Sequence, residues 1–170
     1  KDEQGTIWLG TYFGGVNYYN PTDDHTSYYE ANPDMPHALS FPVVGKMQED
    51  AEHNLWICTE GGGLNFLDRQ TRQFTRYVHN KGGLSGIGHN NLKCIWLRKE
   101  TGQLYIGTHT GGLTIFDTRK KTAHTLKNSP DKANSLPSNV INDLQPYKGK
   151  LVLSTQAGIV AMNPETETFE

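Results

Sequence analysis

The sequence predicts an all-β chain: a β-propeller fragment of about four blades of four antiparallel strands, with the first blade lacking its innermost strand. Three observations lead there. First, a strand core of the type Leu-Trp-Ile, a short polar pair, two glycines and a second apolar strand recur along the chain. The copies centre on Trp8, Trp56, Tyr105 and, in a worn fourth copy, Val152, which gives steps of 48, 49 and 47 residues. A fixed period in this range with strands inside it is the mark of propeller blades. Second, the 18 glycines cluster with Asn and Asp between short apolar runs, as turns between many strands require. Third, no segment keeps apolar residues at i, i+3, i+4 and i+7, so no helix is predicted.

The elements follow in order. Blade 1 covers about 5–30 and opens on Ile7-Trp8-Leu9-Gly10, with Val16 to Asn20 as its next strand. Blade 2, about 42–78, shows all four strands: Val43 to Glu49, Leu55 to Thr59, Leu64 to Asp68 and Gln73 to Tyr77. Glu60 to Gly63 turns tightly between the middle two, since glycine accepts positive φ without a Cβ clash. Blade 3, about 91–127, repeats this with Leu104-Tyr105-Ile106 and Leu113 to Asp117. Blade 4, about 139–170, carries Leu151-Val152-Leu153 and Ile159 to Asn163. Apolar residues of both parities suit sheets packed between neighbouring blades. Asn20, Asp68, Asp117 and Asn163 close the third strand of each blade and suit turn initiation. The total is fifteen strands, three in the first blade and four in each of the others. The expectation is a fragment, or a partial propeller that covers its edges by association.

Three long links join the blades, roughly 30–42, 78–91 and 127–139. Each has an early asparagine (Asn32, Asn80, Asn128) and a late Leu/Ser pair (Leu39-Ser40, Leu84-Ser85, Ser135-Leu136). Their recurrence makes them one structural device.

Bulk properties exclude several classes. With 170 residues the chain can bury a real core. Sixteen basic against eighteen acidic residues give no electrostatic reason to bind nucleic acid or an anionic membrane. No apolar stretch is long enough to span a bilayer. Lys1 opens without a signal peptide, almost directly on a strand, as an excised piece would. Cys58 and Cys94 share no ligand spacing and read as two small buried or half-buried side chains; whether they pair cannot be read from spacing.

No catalytic residue, metal site or cofactor is expected. The glycine runs lead into strands, lack a following Lys-Ser/Thr and so do not form phosphate loops. The seven histidines form no metal-ligand cluster, and no GxSxG nucleophile motif occurs. In a repeat protein the recurring residues build the frame and the varying loop residues carry specificity. The variable pairs in the turn between second and third strands are Tyr12-Phe13, Glu60-Gly61, His109-Thr110 and Gln156-Ala157. That turn and the links share one face. An aromatic pair, a carboxylate, an imidazole and an amide suit a carbohydrate, because sugar rings stack on aromatics and hydroxyls pair with charged or amide groups. The candidate ligand-binding residues are therefore Tyr12, Phe13, Glu60, His109, Thr110 and Gln156. His37, His79, Lys81, His89 and Lys132 of the links are available to join them.

The string Glu49-Asp50, Asn54-Leu55-Trp56-Ile57, Thr59, Gly62-Gly63-Leu64-Asn65, Asp68 and Phe74-Thr75-Arg76-Tyr77 resembles the two-component regulator propeller repeat. The resemblance spans the chain in four copies and is weakest in the fourth. Such repeats form the periplasmic sensor region of Bacteroides-type hybrid two-component systems. The resemblance implies a periplasmic location, an oligosaccharide ligand derived from glycans, and signalling to a downstream histidine kinase that this chain does not contain. Its partners would be the remaining blades and sensor domains of the parent, which would be a homodimer. Two alternatives stand beside this reading. One is a structural or dimerisation scaffold without its own ligand. The other, ranked last, is a propeller carbohydrate-active enzyme, which needs paired carboxylates; Glu60 is the one obvious rim carboxylate among the variable pairs.

Overall fold

A computed structural model describes residues 1–79, 86–132 and 134–170. Among them are fifteen strands and no helix, arranged in four antiparallel sheets. The first sheet holds β1 (Ile7–Gly10), β2 (Val16–Asn20) and β3 (His25–Tyr29). The second holds β4 (Val44–Glu49), β5 (Leu55–Thr59), β6 (Leu64–Asp68) and β7 (Gln73–Tyr77). The third holds β8 (Leu92–Arg98), β9 (Gln103–Thr108), β10 (Leu113–Asp117) and β11 (Thr122–Leu126). The fourth holds β12 (Ile141–Tyr147), β13 (Lys150–Thr155), β14 (Gly158–Asn163) and β15 (Thr168–Phe169). Within each sheet the strands pair in chain order, the meander of a propeller blade. The first sheet has three strands, with β1 at its edge, as the repeat count predicts.

The blades stack face to face, and each interface is a separate core. Val16, Leu39, Ile57, Leu67 and Phe74 fill the first. Trp56, Leu64, Ile87, Leu104 and Phe116 fill the second. Tyr105, Ile115, Leu151, Leu153 and Met162 fill the third. This explains the apolar residues of both parities: a blade between two neighbours buries both faces. The marker aromatics face these interfaces. Trp56 packs on Phe66, its cross-strand partner, at 4.7 Å between ring centroids, and on Phe116 of the next blade at 5.5 Å. Its indole N–H donates to Asp50 at 3.1 Å, and Trp8 repeats that bond to Asp2 at 2.9 Å. Buried indoles need such an acceptor, and Asp at the preceding turn supplies it twice.

The innermost strands β4, β8 and β12 lie side by side around the axis. Each has a register shift near its start, at Val44/Met47, Leu92/Cys94 and Ile141/Asp143. A bulge re-aims the side chains beside it. Here Lys46 of blade 2 and Asp143 of blade 4 meet in an ion pair across blade 3. Cys58 and Cys94 are both free and buried. Burial pushes the Cys58 thiol well above its ordinary value and raises that of Cys94 to about 12, so both are neutral, inert side chains.

The links are ordered by hydrogen bonds. In the first, the Asn32 amide donates to Leu39 O at 3.0 Å, and the Arg76 guanidinium of β7 donates to the carbonyls of Asn32, Pro33, Met35, Ala38 and Leu39. In the third, Asn128 Nδ2 donates to Leu136 O at 2.7 Å. Leu39 and Leu136 are fully buried. Ile87 is the buried anchor of the second link. The predicted Asn80 and Leu84-Ser85 lie outside the described residues.

Candidate functional site

The rim formed by the turns between second and third strands is built from a threonine that the repeat carries in every blade. Thr59, Thr108 and Thr155 end their strands at this turn, and Thr11 directly follows β1. Each hydroxyl donates to a glycine carbonyl across the turn, Gly15 at 3.1 Å, Gly63 at 2.8 Å, Gly112 at 2.9 Å and Gly158 at 2.8 Å. Each also accepts an amide of the same turn, from Gly14, Gly62, Gly111 and Ala157. The hydroxyl thus closes the turn from inside and leaves the two residues after it free to vary. This threonine carries the structural role, and its recurrence in all four copies was the signal for it.

The variable residues stand on this frame. Tyr12 and Phe13 project outward, 69% and 75% exposed, and pack edge to face at 4.6 Å. Glu60 is half-buried and its carboxylate pairs with Lys93 Nζ of the next blade at 2.7 Å. His109, Thr110 and Gln156 are exposed. The backbone ties the rim to the links: Glu60, His109 and Gln156 donate their amides to Val43 O, Asn91 O and Val140 O at 3.0, 3.0 and 3.1 Å. The structure brings Glu60 and His109 to a common neighbour, Asn91, which bridges Glu60 and holds the amide of His109. Tyr12 and Phe13 touch each other.

Several link residues play a different part from the one expected. His79 Nδ1 lies 2.5 Å from Ile87 O, and His89 Nδ1 accepts the Asn91 amide at 2.8 Å, so both rings help to fold the second link. His37 gives its carbonyl to the Phe74 amide at 3.1 Å and leaves its ring exposed. Lys132 is exposed, and Lys81 lies outside the described residues.

Sequence reasoning missed Asn91 and Lys93. Asn91 occupies the place of Val43 and Val140, and its Oδ1 is buried with no hydrogen-bond partner among the described residues. A polar residue where the other copies carry valine was the available signal. Lys93 sits in the bulge of β8, and only blade stacking carries it to Glu60.

No family model matches the chain, and no curated protein does. Among solved structures it is similar to the extracellular domain of the hybrid two component system BT3049 from B. thetaiotaomicron. Identity is 28% and the TM-score 0.80, over 99% of this chain and 22% of that one. It is likewise similar to the extracellular domain of the hybrid two component system BT4673 from the same organism. There identity is 27% and the TM-score 0.77, over 100% of this chain and 24% of that one. The WD40 repeats of RRP9 superpose with a TM-score of 0.68 at 11% identity, over 97% of this chain and 46% of that one, a likeness that shows the fold alone. The chain thus spans 22–24% of the length of its two-component relatives. Over its whole length it is similar to part of the extracellular domains of hybrid two component systems from B. thetaiotaomicron, in line with the resemblance carried by its repeats.

Proposed function

We propose that residues 1–170 form a ligand-sensing blade array of a two-component sensor, which binds a glycan-derived oligosaccharide at the rim and passes its occupancy to a kinase elsewhere in the parent. The observation that carries this is the Tyr12–Phe13 pair. Two large aromatic side chains stand exposed on a turn that is closed by Thr11 and not by them. Nothing in the folding of blade 1 needs them, whereas a sugar ring finds an apolar face on them. Glu60, Lys93, His109, Thr110 and Gln156 offer hydroxyl partners along the same rim. For signalling, the ligand must bind two states of the parent with different affinities.

A thermal-shift screen against plant and host oligosaccharides tests this. A sugar that raises the melting temperature of the wild type, and not of a Tyr12→Ala/Phe13→Ala variant, supports the rim site, since ligand that binds the folded state alone stabilises it. A shift that survives the double substitution sinks it.

A second reading, a scaffold for association, has its own observation. Leu9 on β1 is 56% exposed and Ile159 on β14 is 80% exposed, on the two outer sheets of the array. These faces suit further blades of the parent or a second protomer.

A further inference from the structure

An inner blade shows one face to the blade before it and the other to the blade after it. Toward the blade before, Leu55, Leu67 and Phe74 stand in one cross-strand row of blade 2, all buried against blade 1. By the register of its pairs, blade 1 carries Ile7 and Tyr19 in the places of Leu55 and Leu67. Leu9 stands in the place of the fully buried Ile57. Ile7 and Leu9 are exposed, and Tyr19 is half-buried. Toward the blade after, Trp56 and Phe66 pair across blade 2, and blade 4 carries Val152 and Ala161 in their places. Ile159, in the place of the buried Leu64, is exposed. Blades 1 and 4 therefore leave open the two kinds of face that meet at each of the three joints inside the array. Their sizes are compatible: small side chains stand on blade 4 where inner blades carry rings, and Tyr19 on blade 1 is larger than Leu67.

Charge follows the same rule. On the face opposite the rim, each joint sets the turn before the Trp-bearing strand of one blade against the turn before the fourth strand of the next. At the first joint Asp2 pairs with Arg69 at 2.8 Å. At the second, Asp50 and Glu52 face Lys121 and Arg119. At the third, Arg98 pairs with Glu165. The sign reverses at the third joint, yet the opposition is kept. Two such turns remain at the ends of the array. Blade 1 offers Asp23 and Asp24, and blade 4 offers Lys148 and Lys150. Asp24 has φ of +47°, the left-handed backbone of its counterparts Arg72, Lys121 and Glu167 at +60°, +58° and +56°. It accepts the Tyr19 hydroxyl at 2.8 Å, and Asp23 accepts the Asn20 amide group at 2.8 Å. Lys150 pairs with Glu170, whereas Lys148 Nζ lies 5.0 Å from the Tyr147 ring centre. Among the described residues Asp23, Asp24 and Lys148 make no ion pair. Acids at one end and a lysine at the other are opposed in sign, as at every inner joint.

We infer that two copies of this chain associate head to tail, blade 4 of each stacking on blade 1 of the other. Val152, Ile159 and Ala161 of one copy meet Ile7, Leu9 and Tyr19 of the second, and Lys148 meets Asp23 and Asp24. A contact between unlike faces makes a ring where the rotation closes. Two copies of four blades give eight, within the range over which propellers close, so the ring is a dimer with two identical joints. Stacking removes the exposed apolar faces from water, and the charges set which ends meet. This arrangement rests on the association reading above and not on the sugar site.

The test is the mass of the 170-residue chain across a concentration series, by light scattering on a sizing column. The expected result is a species of twice the 19.0 kDa of one chain. Asp24→Lys and Lys148→Glu should each weaken the dimer by about tenfold or more, since each sets like charges face to face at both joints. A lysine fits the backbone of Asp24, because Lys121 already occupies the equivalent position in blade 3. Mixing the two single variants should restore the dimer, with native charges at one joint and exchanged charges at the other. Leu9→Lys should abolish it while the variant still melts cooperatively. A monomer at every concentration would overturn both this arrangement and the association reading. A dimer that neither charge variant weakens, or variants that do not recover on mixing, would overturn the head-to-tail geometry alone. Species that grow beyond the dimer would overturn the closed ring.

Discussion

Gly63 shows how a single side-chain atom decides a turn. Its φ is +75°, and a Cβ there would lie 2.4 Å from Tyr77 O. Gly15 and Gly112, its counterparts, have φ of +67° and +88° and equally close carbonyls, Tyr29 O at 2.2 Å and Leu126 O at 2.3 Å. The second glycine of each pair is therefore demanded twice, by backbone conformation and by the approach of the fourth strand. Gly63→Ala should destabilise the chain by at least about 1–3 kcal/mol from strain alone, with the clash in addition. A urea titration checks this, and an unmoved midpoint would mean that the turn relaxes freely. The glycine pairs were legible in the sequence as hairpin turns. The carbonyl that forbids a side chain was not, because it belongs to a strand fourteen residues away.

At the scale of the element, the links are the instructive case. Length and composition mark 30–42 as a loop, yet it is ordered by one side chain. Arg76 on β7 donates to five carbonyls of that segment, which no backbone partner could reach together. A guanidinium presents five N–H donors in a rigid fork, so it can satisfy carbonyls that point inward from an irregular turn. Arg76→Ala leaves these carbonyls to water. It should destabilise the chain by about 1.5–3 kcal/mol or more, the net worth of a hydrogen bond to a charged group. It should also speed exchange of the Asn32 amide, now bonded to Leu39 O. Hydrogen exchange followed by mass spectrometry reads this directly; protection unchanged over 32–39 would show that the link orders itself. The recurrence of the links in the sequence was enough to call them structured, but Ile87 as the anchor of the second emerged from its burial in the inter-blade core.

At the scale of the whole molecule, blades hold together through apolar stacking with ion pairs at the margins. Four carboxyls that form ion pairs are held below the ordinary range: Asp2, Glu3, Asp117 and Asp143. For Asp2, burial acts to raise the value, but the Trp8 hydrogen bond and the charge of Arg69 outweigh it. For Asp143, burial is likewise outweighed, by Lys46 and the Leu144 amide. A carboxyl lowered in the folded state lends stability above its unfolded value, near pH 4, and that stability is lost as pH falls through the lowered value. Asp50, raised by burial, works in the opposite direction: its contribution is present at low pH and lost as pH rises through its folded value. Four lowered carboxyls, Asp2, Glu3, Asp117 and Asp143, against one raised, Asp50, predict a urea midpoint that falls as pH drops below about 4. Arg69→Met should flatten that acid limb by removing the partner of Asp2. An acid limb of equal slope in the variant would assign the loss to other groups.

The sequence by itself determined the blade: its period, the order of its strands and the glycine turns between them. These are set by local backbone preference and by contacts within one blade, which a repeat writes out several times. Tertiary structure alone decided what lies between blades. The pairing of Glu60 with Lys93 and the buried Asn91 Oδ1, which finds no partner among the described residues, both depend on how neighbouring blades meet. Stacking brings such groups within a few ångströms of each other, and in a repeated sequence a single departure from the pattern acquires its meaning from the neighbour it faces.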